Sequence, residues 1–184
     1  MTNQMRYWIG GIVGCVIASI LIVLVIRHAE NNEFRQALEW HRVHGDQISI
    51  GENKLSLPKD WWEKNQSDEG KQVLVKASRR LMPSVSSTAI VIERKSVSES
   101  KLDEDQTSKH IQSYIEFANK GKQDPFYSMV TVKAASKNIY CRRTLDATQI
   151  IELRCDVVGA PIVISSVGPS NTESEIEAIL ATFN

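Results

Sequence analysis

The sequence predicts an α+β architecture: an N-terminal transmembrane helix followed by a largely antiparallel sheet packed with two or more helices. Three observations lead there. Residues 7–26 form one long uncharged run. Beyond residue 46, short apolar runs alternate with a period of two and are separated by turn residues. Two later segments, 102–120 and the stretch from Thr172 onward, carry apolar residues at helical spacing instead. The organisation that follows is a short tail over 1–6, a transmembrane helix over 7–26, a helical stem over 27–45 and a folded domain over 46–184.

The run YWIGGIVGCVIASILIVLVI holds 20 residues without a charge. At 1.5 Å per residue it spans about 30 Å, the thickness of a bilayer core. Arg6 and Arg27 bracket it, and Tyr7 and Trp8 stand at one boundary, where amphipathic rings favour the headgroup layer. A cleaved signal peptide has a shorter apolar region and a small-x-small exit, whereas this run ends in Val25-Ile26-Arg27. Ile12-Val13-Gly14-Cys15 resembles a lipoprotein cleavage box, but the residues after Cys15 stay apolar or small. An uncleaved single-pass signal-anchor is expected. Arg6 on one side nearly balances Arg27 and Arg35 on the other, which stand among Glu30 and Glu33. A short tail before an anchor usually stays in the cytoplasm. The expected location is therefore a cytoplasmic (inner) membrane, with the folded domain on the extracytoplasmic side. Gly10, Gly14 and Ala18 recur every fourth residue and form a candidate helix-dimer face.

The stem, from His28 to His44, places Phe34, Ala37, Leu38 and His41 on one side, with Gly45 as its stop. It reads as a solvated stem. His41, His44 and Asp46 match no standard metal-ligand spacing. Residues 47–50 and 54–57 flank the turn-rich Gly51-Glu52-Asn53 and suit a hairpin, which Pro58 ends. Residues 63–70 are polar and read as a loop. Residues 72–77 and 88–94 are rich in Val and Ile and read as strands. Helix 102–120 follows, with the stripe Ile111, Tyr114, Ile115 and Ala118, an acidic start at Asp103-Glu104-Asp105 and a stop at Gly121. Four strands come next, over 127–134, 138–145, 150–158 and 162–167, and Gly168-Pro169 breaks the pattern. The last helix starts at Thr172, for which Glu175 would close a capping box, and buries Ile176, Ile179, Leu180 and Phe183. Short connections favour antiparallel pairing throughout.

Cys141 and Cys155 lie in neighbouring predicted strands. Ile139, Cys141 and Leu145 share one face of the first strand, and Ile151, Leu153, Cys155 and Val157 share one face of the second. Pairing Leu145 with Ile151 joins the two apolar sets and sets Cys141 opposite Cys155. The other face is then polar, with Tyr140, Arg142 and Thr144 against Glu152, Arg154 and Asp156. Two blemishes remain in this register: Arg143 on the apolar face, and Arg142 opposite Arg154. Facing cysteines in an oxidising compartment would form a disulfide. The alternative is a reduced pair packed as small core residues.

Composition bounds the functions. The 22 basic and 22 acidic residues balance, and nothing in the sequence supplies the basic surface that nucleic-acid binding requires. No nucleophile elbow, P-loop, Rossmann glycine pattern or zinc-protease motif is present. No catalytic, cofactor-binding or metal-binding residue is therefore assigned, and no cofactor is expected. His110, in the helix over 102–120, reads as a surface histidine. Trp61-Trp62 is a candidate contact site, with one ring expected in the core and its neighbour at the surface. Asn65-Gln66-Ser67 is a glycosylation sequon.

The early hairpin ends in Leu57-Pro58-Lys59-Asp60-Trp61, a strand–helix–strand order follows, and the last helix ends Ile179-Leu180-Ala181-Thr182-Phe183. In these three features the segment over 46–184 resembles the PsbP/Mog1-like fold. The resemblance implies Trp61 packed on the sheet. It also implies a mostly non-catalytic role, as in assembly factors, chaperones and regulators, and transfers no site residue. The expectation is a membrane-anchored binding or assembly module with a protein partner at the membrane. The alternatives are a membrane-tethered enzyme whose site is assembled from distant residues, and a self-associating structural protein that forms a homodimer.

Overall fold

A computed structural model describes residues 3–64, 71–77, 88–95, 102–121, 126–135 and 137–184. The sequon at residues 65–67 lies outside these. The first element is one helix, α1 (Asn3–His44), in which the stem extends the hydrophobic run. Gly45, at φ 76°, ends it by donating its N–H to the His41 carbonyl at 2.9 Å. This left-handed stop satisfies a carbonyl that the helix leaves open.

Among the described residues, no helix is long and apolar enough to cross a membrane. Within the uncharged run, the side chains described are those of residues 15–25. These eleven rise about 16 Å, half a bilayer core.

The hairpin is β1 (Gln47–Ile50) and β2 (Asn53–Ser56). Ile50 pairs with Asn53, so the turn is the two residues Gly51-Glu52, one fewer than the triplet expected. Gly51 takes φ 65°, which places glycine at the first central position as a type II′ turn requires.

Seven strands form the second sheet. They are β3 (Trp61–Lys64), β4 (Gln72–Lys76), β5 (Ala89–Arg94), β6 (Tyr127–Lys133), β7 (Asn138–Leu145), β8 (Ile150–Val157) and β9 (Ile162–Pro169). Their order is β3-β4-β5-β9-β8-β7-β6, and every pairing is antiparallel. The expected α+β class with a largely antiparallel sheet is therefore what forms. Two boundaries differ from expectation. Trp61–Lys64 is an edge strand, because its polar residues sit where one face meets solvent. Gly168-Pro169 continues β9 instead of breaking it, with Gly168 opposite Ile151 and Pro169 opposite Ile150.

One face of this sheet carries the core. Trp61, Leu74, Ile90, Ile139, Leu153 and Ile164 are all fully buried there. Helix α3 (Glu173–Ala181) covers them with Ile176, Ile179 and Leu180, and Phe183 follows it into the same core. Burying each such side chain stabilises the fold by roughly 1.5–3 kcal/mol. The hairpin closes the layer with Ile48, Ile50, Leu55 and Leu57. The end of the chain is tied to it: Lys54 and Asn184 exchange backbone hydrogen bonds of 3.0 and 3.2 Å.

Helix α2 (Glu104–Asn119) lies on the opposite face, over β6 and β7. Its capping box is Asp103 with Gln106: the Gln106 N–H donates to the Asp103 side chain, and the Gln106 side chain accepts from the Asp103 N–H. Of the expected stripe only Ile111 is fully buried, joined by Thr107, while Tyr114 is 40% exposed. The reason is that α2 rests on one end of the sheet and leaves a groove beside it.

Candidate functional site

The residues singled out by sequence fall in three places. Cys141 and Cys155 face each other across β7 and β8 and are joined by a disulfide, with Cα atoms 3.9 Å apart. The register is the one the alternation requires, Leu145 to Ile151 included. Trp61 is fully buried and donates its indole N–H to Glu175 at 2.7 Å, while Trp62, its neighbour, is half-buried on the other face. Gly10, Gly14 and Ala18 all belong to α1. Ala18 is exposed, and the surroundings of Gly10 and Gly14 lie outside those described.

Glu175 does not close a capping box with Thr172. It accepts from Trp61 and pairs with Lys76, so it ties α3 to β3 and β4. The Thr172 hydroxyl donates back to the Pro169 carbonyl at 2.7 Å instead. A carboxylate that satisfies a buried indole and an ammonium contributes more than an exposed cap.

The end of α1 is also not a solvated stem. Ala37 is fully buried and His41 is 6% exposed. The His41 ring bridges three elements. Its Nε2 lies 2.9 Å from the Pro58 carbonyl and 2.8 Å from that of Trp61, and its Nδ1 lies 2.9 Å from Asp46. Asp46 also pairs with Lys59, which holds its carboxyl below the ordinary carboxylate range. His110 is exposed on α2, the surface histidine the sequence suggested, and the buried histidine is His41, in the segment read as a solvated stem. No group of three or more His, Cys, Asp or Glu able to hold a metal ion occurs among the described residues.

Among the described residues, two cavities lie on the α2 face of the sheet. A cleft of about 360 Å³ runs between α2 and strands β7, β8 and β9, floored by Arg154, Asp156 and Val163 and walled by Leu102 and Ile111. A second, of about 260 Å³, continues past Tyr127 and Glu152. Tyr114, Arg142 and Arg154 line both, so the two form one groove. Alternation along β7 and β8 puts Tyr140, Arg142 and Thr144 and then Glu152, Arg154 and Asp156 on this face, away from the disulfide.

Charge pairing in the groove is uneven. Lys95, whose side chain is 4% exposed, binds Asp156 at 2.8 Å. Glu104 accepts from Asn138 and from the Tyr140 hydroxyl, and these bonds keep its carboxyl below the ordinary range. Asp146 accepts from the Ile150 and Thr148 amides and the Thr148 hydroxyl, with the same effect. The Arg142 guanidinium lies over the Tyr114 ring, its Cζ 4.0 Å from the centroid, and Tyr114 meets Tyr127 edge-on at 5.8 Å. Burial, and Tyr114 beside it, push the Tyr127 hydroxyl up. Neither Arg142 nor Arg154 forms an ion pair among the described residues, although they are direct cross-strand partners. By contrast Arg143, the other apparent blemish in the register, reaches across the core face to Glu173 with two hydrogen bonds.

Compared with models of known protein families, the chain matches none, and no similar curated protein is found.

Proposed function

We propose that the chain is a membrane-anchored binding or assembly module, with its α+β domain held at the extracytoplasmic face of a cytoplasmic membrane by α1. One observation carries the reading. Val16, Ile17, Ile20 and every residue from Leu21 to Val25 are exposed, between 49% and 69%, around the whole circumference of a helix that docks into the domain only near its end. A helix that is apolar on all sides is one that belongs in a core or a bilayer. The sequence extends that surface to 20 uncharged residues, about the length needed to cross. The buried contacts of Ala37 and His41 fix the helix to the domain, which suits a tether that positions what it carries. The disulfide suits an oxidising compartment. The likeness of residues 46–184 to the PsbP/Mog1-like fold points to a non-catalytic role. A domain held at the membrane meets partners there at high local concentration, so modest affinity suffices.

The test is extraction of membranes from cells that make the full chain. The protein should stay in the pellet in alkaline carbonate and leave it in detergent. Replacing Val16 and Ile17 with Lys should release it, because each charge at the centre of the 7–26 run costs about 2.5–3.5 kcal/mol on insertion scales. Recovery of the unaltered chain in the supernatant without detergent would overturn the tether.

A further inference from the structure

We propose that the groove beside α2 binds a small organic anion, whose phosphate or carboxylate sits between Arg142 and Arg154 and whose uncharged body fills the 360 Å³ cleft against Leu102, Ile111 and Val163.

The argument starts from a mismatch. Direct cross-strand partners place their Cβ atoms about 4.5–5.5 Å apart, and like charges there destabilise a sheet. Arg142 and Arg154 are such partners. Lys95, which lines the same cleft, is matched by Asp156, and on the other face of the sheet Lys76 is matched by Glu175 and Asp60 and Arg143 by Glu173. The carboxylates that might serve the pair are committed elsewhere or stand apart. Asp156 is taken by Lys95, Asp146 by its own turn and Glu104 by Asn138 and Tyr140. Glu152 points to the same face as Arg154, but no ion pair joins them. Two guanidiniums, ten N–H donors between them, thus face one cleft with no acceptor bonded to either among the described residues.

The surroundings define the ligand. Arg142 sits over the Tyr114 ring, its Cζ 4.0 Å from the centroid, a cation–π contact that holds the guanidinium in the groove while consuming none of its N–H donors on a protein acceptor. Counting Lys95, Arg142 and Arg154 against Asp156, the 360 Å³ cleft carries two excess positive charges. Its apolar walls accept an uncharged body, and its volume lies at the lower end of small-molecule sites. Glu152 at the far end disfavours a second anionic group there. The inference stands apart from the tether: either can fail alone, because anion binding is read with the protein in detergent and anchoring is read in membranes.

Phenyl phosphate is the probe, titrated into the full chain in an uncharged detergent while the arginine side-chain Nε–H resonances are followed by NMR. Saturable shifts are expected at Arg142 and Arg154. Phenol should not produce them, and inorganic phosphate should produce them with weaker affinity. Arg142→Gln and Arg154→Gln should each weaken phenyl phosphate binding at least tenfold, while Lys133→Gln, an exposed site on β6, should not. A second readout separates a binding role from a structural one. Without ligand, Arg154→Gln should raise the melting temperature, because it relieves repulsion, and phenyl phosphate should raise that of the unaltered chain and of Lys133→Gln more than that of either arginine variant. Binding that survives both substitutions, or shifts elsewhere on the surface, would overturn the proposal. So would the absence of saturable shifts, or a lowered melting temperature in Arg154→Gln.

Discussion

His41 shows how a single side chain can change its meaning between sequence and structure. Its spacing from Phe34, Ala37 and Leu38 marked one side of a stem, which is correct as far as a helix wheel goes. What made it central was Trp61, twenty residues away, whose carbonyl it meets at 2.8 Å. No local pattern announces such a contact. The same holds for Trp61 and Glu175: the indole was expected on the sheet, but its carboxylate partner had been assigned to a helix cap. Asp46 gives the prediction at this scale. Lys59 above all, with a lesser contribution from His41, holds its carboxyl below the ordinary carboxylate range against the opposing effect of desolvation. A lowered carboxyl contributes stability that is full above the unfolded-state value and is lost as pH falls through the lower folded-state value. The melting temperature should therefore fall between about pH 5 and pH 2, and Asp46→Asn should flatten that part of the profile while lowering the plateau near neutrality. Thermal melts across that range check it. A profile of the same slope in both proteins would mean that Asp46 makes no net contribution.

At the scale of elements, alternation was the most informative signal. The apolar sets of β7 and β8 fixed their register, and with it the disulfide and the two arginines that face each other. Strand β3 was missed because Trp61–Lys64 combines one buried ring with three partly polar positions, and edge strands carry weak alternation. Strand β9 was cut short because glycine and proline usually punctuate a strand. Gly168 has another role. A Cβ there would lie 2.8 Å from the Thr172 hydroxyl and 2.9 Å from the Thr88 methyl. Close approach of the two segments that flank β9 requires glycine at this point. Pro169 has Ile150 as its partner at the end of the ladder, where a missing donor costs least. Gly168→Ala should destabilise the domain by about 1–3 kcal/mol, because Thr88 is buried and has little room to yield. Chemical denaturation would measure this, and a loss below about 0.5 kcal/mol would show that Thr172 simply rotates away.

At the scale of the whole molecule, the fold class and the uncharged run were legible, and the groove was not. The sequence showed Arg142 and Arg154 only as a flaw in an otherwise polar face. The flaw acquires a reason when α2, placed by Ile111 and Thr107 over one end of the sheet, turns that face into a cleft. How α2 lies across β6 and β7 depends on contacts far apart in sequence, such as Glu104 with Tyr140, and no periodicity encodes them. The account joins three parts: an apolar helix, a disulfide-bonded sheet and a basic groove on the face away from that disulfide. Its central claim is that α1 holds the domain on the extracytoplasmic side. The most direct test is the redox state and accessibility of Cys141 and Cys155 in intact cells, in a Cys15→Ser background that removes the free thiol of α1. A membrane-impermeant thiol reagent would be applied with and without a reductant that does not enter the cytoplasm, and the product read as a gel shift. The account predicts no shift before reduction and a two-thiol shift after it, without lysis. Thiols that need no reductant, and react only after lysis and unfolding, would contradict it and place the domain in a reducing compartment.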